Sequence, residues 1–170
     1  FFFISLITII IFIIAETSSY YILKSKGYKS YNEINNPQKW DVYTLFWGKR
    51  NWQSGKIKFN SLGYWDDEIT EKKKYRIVIL GGSTAWGSGV NDNNHTIASQ
   101  MEKYFVQKGL DIEVINAGMG GFNSLQELQL FIYQIVYMDP DLVLTIDGNN
   151  DIAQVSNTNL FKSNYYANIL

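Results

Sequence analysis

Cysteine is absent from the 170 residues, which excludes a disulfide framework and any thiolate metal site, and leaves the redox compartment unspecified. Histidine occurs once, as His95, so no multi-histidine metal cluster can form. Charge of one sign is also missing: 15 basic against 16 acidic side chains leave a net charge of -1. That balance gives no electrostatic reason to expect nucleic acid or a strongly acidic partner. No cofactor is implied by anything in the chain, and the oligomeric state is left open. At this length there is room for one domain and an appendage.

What the chain does have is aromatic and aliphatic side chains. Phe1 to Ala15 runs without a charge or a helix breaker. As a helix it would cover about 22 Å at ~1.5 Å per residue, short of the ~30 Å hydrocarbon core of a bilayer. The chain opens on Phe1 and closes in an asparagine-rich stretch, which predicts a piece of a longer protein whose upstream residues complete the span. A secretory signal core is the competing reading, but Glu16-Thr17-Ser18-Ser19-Tyr20 offers no small-x-small cleavage site. The expectation is an uncleaved single-pass anchor over residues 1–19, with the succeeding domain outside the cytoplasm. Lys24, Lys26 and Lys29 just after it argue the opposite orientation, and no upstream flank is there for comparison.

Residues 20–74 read as a linker and accessory segment. Trp40, Trp47, Trp52 and Trp65 crowd into it, suited either to stacking on sugar rings or to burial. Lys56 to Phe59 alternates polar and apolar before the turn residues Asn60-Ser61-Leu62-Gly63, which predicts a short strand or two. Glu71-Lys72-Lys73-Lys74 reads as a solvated entry to the next strand.

From residue 75 to 170 a strand–turn–helix pattern repeats. Ile77-Val78-Ile79-Leu80 is an apolar run that ends at Gly81-Gly82, as a strand buried on both faces would. Ser83 and Thr84 come next, placing a hydroxyl where open α/β sheets bind their ligands. A loop over 90–94 with helix-capping residues leads to Ile97, Met101, Tyr104 and Phe105 at helical spacing, with Gly109 as the stop. Ile112–Ile115 is a second strand, ending in the turn Asn116-Ala117-Gly118-Met119-Gly120-Gly121-Phe122-Asn123. Ser124-Leu125-Gln126-Glu127 matches a capping box, opening a helix with Leu125, Leu128, Ile132 and Ile135 as its expected apolar face. Asp139-Pro140 ends it, Leu142–Ile146 is a third strand, and Asp147-Gly148-Asn149-Asn150-Asp151 is a third polar turn. The fold class this predicts is a three-layer α/β/α, flavodoxin-like parallel sheet.

Three such turns on one sheet edge make a site. Gly82 to Gly87 has Walker A glycine spacing, yet Ser88-Gly89 stands where Lys-Ser/Thr is required. The dinucleotide fingerprint fails as well, with Asp92 at the third glycine position. Acyl transfer fits better. Ser83 is the candidate nucleophile, its own N–H and that of Gly121 are candidate oxyanion donors, and the Asn150 amide is a neutral third donor. Each has a plainer use: Ser83 as a helix cap, Gly121 as a positive-φ turn, Asn150 as a loop brace.

The order Gly81-Gly82-Ser83-Thr84, Asn116-Ala117-Gly118-Met119-Gly120-Gly121, Asp147-Gly148-Asn149-Asn150-Asp151 resembles blocks I, II and III of the SGNH hydrolases, the GDSL-type esterases and lipases. Asn60-Ser61-Leu62-Gly63-Tyr64 upstream resembles a membrane-anchored bacterial subgroup. The resemblance covers roughly residues 57–152 and implies Ser83 as nucleophile, Gly121 as the oxyanion-hole glycine and Asn150 as the asparagine of G-x-N-D. It implies a small-molecule or glycan ester as substrate, an acyltransferase as a close variant, and a non-catalytic membrane-tethered binding module as the rival of another class. Gly82 departs from the aspartate many members have there. The family's late Asp-x-x-His block is not found near Leu170, so the catalytic Asp and His are expected beyond it. His95, at the start of the first helix after Ser83, is read as a solvated residue. The chain by itself is therefore expected to have little esterase activity, and a sheet ending at its third strand to be poorly stable.

Overall fold

The computed structural model describes residues 2–26, 36–72 and 75–158. Lys29, Lys73, Lys74 and the residues after Thr158, on which some of the sequence expectations rest, lie outside them. The chain divides into two compact units, Phe1–Asn35 and Asn36–Leu170.

In the first unit, helix α1 (Phe2–Ser25) has 24 residues, running past Ala15 through the polar Glu16–Ser19 stretch. At ~1.5 Å per residue this is about 36 Å, enough to cross the ~30 Å hydrocarbon core. Hydroxyls in so apolar a helix need a local acceptor, and Thr8 Oγ1 donates to the Ile4 carbonyl at 2.9 Å. Large apolar side chains such as Phe3 and Phe12 are exposed along it. Length and composition alone fit a membrane span and a signal sequence equally.

The second unit is built on a parallel sheet of β5 (Tyr75–Gly81), β6 (Ile112–Gly118) and β7 (Leu142–Ile146), with β5 between the other two. The earliest strand is central, as in the 2-1-3 start of a flavodoxin-like order. Side chains alternate across a strand, so β5 serves two cores. Val78 and Leu80, with Ile115 and Ala117, pack under Leu130 and Ile135 and beside Trp47 and Tyr64. Ile77 and Ile79, with Val114, pack against Ala85 and Ala98, and Met101 and Phe105 close over them. Helices α2 (Ser83–Trp86) and α3 (Ile97–Gln107) thus cover one face, and α4 (Ser124–Tyr133) with the 3₁₀ turn Ile135–Met138 covers the other. The result is the three-layer α/β/α arrangement, with α5 (Asn149–Thr158) after β7.

The preceding segment forms two antiparallel ribbons, β1 (Gln38–Asp41) with β2 (Leu45–Gly48), and β3 (Gln53–Ser54) with β4 (Ile57–Lys58). The first ribbon turns on Asp41, whose Oδ1 accepts from the N–H groups of Tyr43 and Thr44 and from Thr44 Oγ1. Of the tryptophans, Trp47 and Trp65 are buried, their indole N–H groups given to the Leu62 carbonyl and Asn93 Oδ1. Trp40 remains 73% exposed.

Two local expectations are corrected. The cap of α4 is Asn123, paired reciprocally with Gln126, and not Ser124 with Glu127. Ser124 is unavailable as the cap because its N–H and Oγ are engaged by the Asp151 carboxylate from another element. The helix consequently presents Gln126, Glu127 and Leu130 inward, while Leu128 and Ile132 are exposed. Gln126 is accommodated there because its Nε2 donates to the Thr44 carbonyl at 2.8 Å. On α3, Tyr104 also faces outward at 55% exposure.

Candidate active site

The site forms where β5, β6 and β7 end. Gly81 leaves β5 at φ +152, and a Cβ on it would stand 2.5 Å from the Ile146 carbonyl oxygen of β7. Gly118, at the end of β6, packs against the backbone of α2 so closely that a Cβ would meet Trp86 N at 2.4 Å. These bare positions let the chain turn off β5 straight into α2 without a spacer.

Ser83 is therefore the first residue of α2, and Gly82 is its cap, so Ser83 does not serve as a capping side chain. Its side chain is half-buried, and among the described residues its hydroxyl has no hydrogen-bond partner. Ser83 and Asn150 line a single small cleft of about 60 Å³, together with Phe122, Asp147 and Gly148. Asn150 reaches it from the first turn of α5, and its Nδ2 donates to the Phe122 carbonyl at 2.6 Å. An amide nitrogen has two hydrogens, so one remains for a ligand.

Gly121 adopts φ +93, a conformation that side chains disfavour, beside the ring of Phe46. It does not line the cleft itself, but Phe122, its neighbour, does. The turn that carries it is braced: Gln38 Nε2 donates to the Gly120 carbonyl at 2.8 Å, and Phe122 N–H to the Met119 carbonyl at 3.1 Å. Asn116, at the base of the same turn, is buried and bridges three segments. It receives Gly118 N–H on Oδ1 and donates Nδ2 to the Trp86 and Trp65 carbonyls.

One pairing of titratable side chains lies outside the sequence expectations. Asp92 and His95 stand three apart in a 3₁₀ turn, and Nδ1 of His95 lies 2.6 Å from Asp92 Oδ1. The signal was there, an aspartate with the chain's only histidine three residues later. His95 is open to water, its side chain being 67% exposed against 18% for Asp92, and neither residue lines the cleft with Ser83. The His95 hydrogen bond, ahead of the pair's charge attraction, holds the Asp92 carboxyl below its ordinary range. Asp92 instead borders a wide polar groove of about 960 Å³ with Lys56, Lys58, Asp66 and Glu102. Among the described residues no group of three or more acidic or histidine side chains is arranged to hold a metal ion.

No family model and no curated protein matches the sequence. Solved structures do share part of the fold. AlinE4, described as an SGNH-hydrolase family esterase, is 22% identical with a TM-score of 0.44 over 50% of this chain and 46% of its own. TesA is 24% identical with a TM-score of 0.44, over 46% of this chain and 43% of its own. A GDSL-like lipase from Parabacteroides merdae is 17% identical with a TM-score of 0.40, over 55% of this chain and 48% of its own. The chain spans about half the length of these structures, and what it is similar to is the SGNH-hydrolase fold over that half.

Proposed function

We propose that the chain carries the nucleophile and oxyanion elements of a serine esterase acting on acyl or acetyl esters. The observation that supports this best is the shared cleft: Ser83, with an unengaged hydroxyl, and the Asn150 amide face the same small space. In this reading Ser83 Oγ attacks the ester carbonyl. The developing oxyanion is received by the N–H groups of Ser83 and Gly121 and by the second N–H of Asn150, all held in place before reaction. The Asn150–Phe122 hydrogen bond fixes the amide, and Gly121, at a positive φ, carries no side chain of its own beside its N–H. The general base is assigned to a histidine, oriented by an aspartate, outside the described residues. His95 is set aside because it is bound to Asp92 away from the cleft.

An acyltransferase would use the same groups with a different acceptor, on a cell-surface glycan where α1 anchors the domain. A membrane-tethered binding module would need the cleft but not the nucleophile. A fluorophosphonate probe on the full-length protein separates these. Covalent labelling that maps to Ser83, and that drops by ~10²–10³ in rate in Asn150→Ala, is the expected result. A folded protein that is never labelled at Ser83 overturns the enzyme reading in favour of the module.

A further inference from the structure

The corrected capping of α4 frees Glu127 from the role its position predicted, and the structure gives it another. Glu127 is 3% exposed, and neither carboxylate oxygen has a hydrogen-bond partner. A buried carboxylate without a partner is costly, and such a group is neutralised or matched by a donor. The charged groups that act on it are Asp147, in the turn after β7, and Asp151, at the start of α5, and both are acids. As carboxylates none of the three can donate to another. A proton on Glu127 supplies the missing donor, and Asp147 is the side chain within reach to accept it.

Both acids belong to the turn that carries Asn150. Asp147 is a wall of the Ser83 cleft and opens the five-residue turn whose fourth residue is Asn150. At the far end of the turn, Asp151 receives Ser124 N–H and Oγ–H, the latter at 2.6 Å. Helix α4 thus holds the far end of the turn through Ser124 on Asp151, and carries Glu127 within the electrostatic reach of Asp147 at the near end.

We propose that Glu127 is a positioning residue: protonated, it binds Asp147 and holds the 147–151 turn so that the Asn150 amide faces Ser83, and ionised, it releases that turn. Burial first, then the charges of Asp147 and Asp151, push its pKa up to about 7. When Glu127 loses its proton, its buried carboxylate carries a charge that repels those of Asp147, which is itself exposed, and of Asp151. The turn then relieves the repulsion by moving Asp147 outward. The significance for catalysis rests on the serine-esterase reading, whereas the coupling between Glu127 and Asn150 does not.

The test therefore uses a readout independent of serine chemistry. In the full-length protein in detergent micelles, the ¹⁵N side-chain amide resonance of Asn150 is tracked from about pH 5 to about pH 9, roughly two units on each side of the expected midpoint. The resonance should shift with a midpoint near 7 in the wild type and stay flat in Glu127→Gln, which keeps a donor at every pH. Labelling of Ser83 by a fluorophosphonate should fall above the midpoint in the wild type by up to ~10², the loss of one oxyanion donor, and not in Glu127→Gln. An Asn150 midpoint retained in Glu127→Gln, or none in the wild type, overturns the proposal. A midpoint that vanishes in Glu127→Gln in a protein never labelled at Ser83 supports the positioning role and removes the esterase reading alone.

Discussion

A Cβ placed on Gly82 would stand 2.6 Å from Nδ2 of Asn150 and 3.2 Å from the Phe122 carbonyl oxygen that this amide binds. Gly82 has an ordinary φ of −78°, so what requires glycine there is the approach of the amide and not the backbone. The residue before the candidate nucleophile and the candidate oxyanion donor therefore occupy contiguous space, though 68 positions apart in the sequence. This also gives a local reason for glycine where the resembling family often has aspartate.

Gly82→Ala should displace the Asn150 side chain while leaving the fold in place, because the amide is the movable end of a flexible side chain. We expect Ser83 labelling by a fluorophosphonate to slow by ~10-fold or more, approaching the ~10²–10³ of a lost oxyanion donor. The midpoint of thermal unfolding should change little, since the cost is a displaced hydrogen bond of ~1 kcal/mol. Wild-type labelling kinetics in Gly82→Ala would separate Asn150 from the chemistry.

The three strands were legible because each is an apolar run closed by glycine or a polar turn, and Leu142–Ile146 is the third strand as the sequence marks it. Ser83, Gly121 and Asn150 were legible as residues at strand ends, since parallel topology sends all three turns to one edge. The face of α4 was not. Asn123-x-x-Gln126 and Ser124-x-x-Glu127 both fit a capping box, and the choice between them is made by Asp151, 27 residues beyond Ser124. A helix turned by that choice buries Glu127 and exposes Leu128, against the apolar periodicity. The same limit applies to the glycines. The sequence shows where side chains are missing, but not that Trp86 N faces Gly118 or that the Asn150 amide faces Gly82.

Two neighbouring glycines in one turn should respond differently to the same substitution. A Cβ on Gly118 would meet Trp86 N at 2.4 Å and the Ala85 carbonyl carbon at 2.7 Å, both backbone atoms of α2. On Gly120 it would meet the Trp86 ring at 3.0 Å, a side chain with some freedom to move. Gly118→Ala should therefore push α2 off β6 and destabilise the domain by ~1–3 kcal/mol or more, the range for overpacking a filled interior. Gly120→Ala should cost less. Denaturant unfolding monitored by tryptophan fluorescence measures both, and equal losses in the two variants would contradict this difference in packing. Because α2 begins with Ser83, Gly118→Ala should also slow fluorophosphonate labelling under conditions where the protein remains folded.

Asp66, whose carboxylate accepts Asn116 N–H at 2.7 Å near the end of β6, should make stability depend on pH. Desolvation by burial, only partly offset by the hydrogen bonds from Asn116 and Asp67, pushes its pKa from an ordinary 3.8 up to about 7. An acid whose folded pKa is raised binds its proton more tightly when folded. Its contribution is fully present below pH 3.8 and is lost as pH rises toward 7, at a slope of at most about 1.4 kcal/mol per pH unit. Glu127 acts in the same direction over nearly the same window. Asp141 acts in the opposite sense. The backbone N–H of Arg76 and the Lys72 ammonium hold its carboxyl below the ordinary range, so its contribution is lost only as pH falls below that range. The free energy of unfolding should therefore decline between about pH 4 and about pH 7. Asp66→Asn should flatten that decline without abolishing it, because Glu127 remains. A wild-type stability that rises across the same interval would mean that Asp66 and Glu127 are ionised in the folded protein, and would remove the physical basis for both assignments.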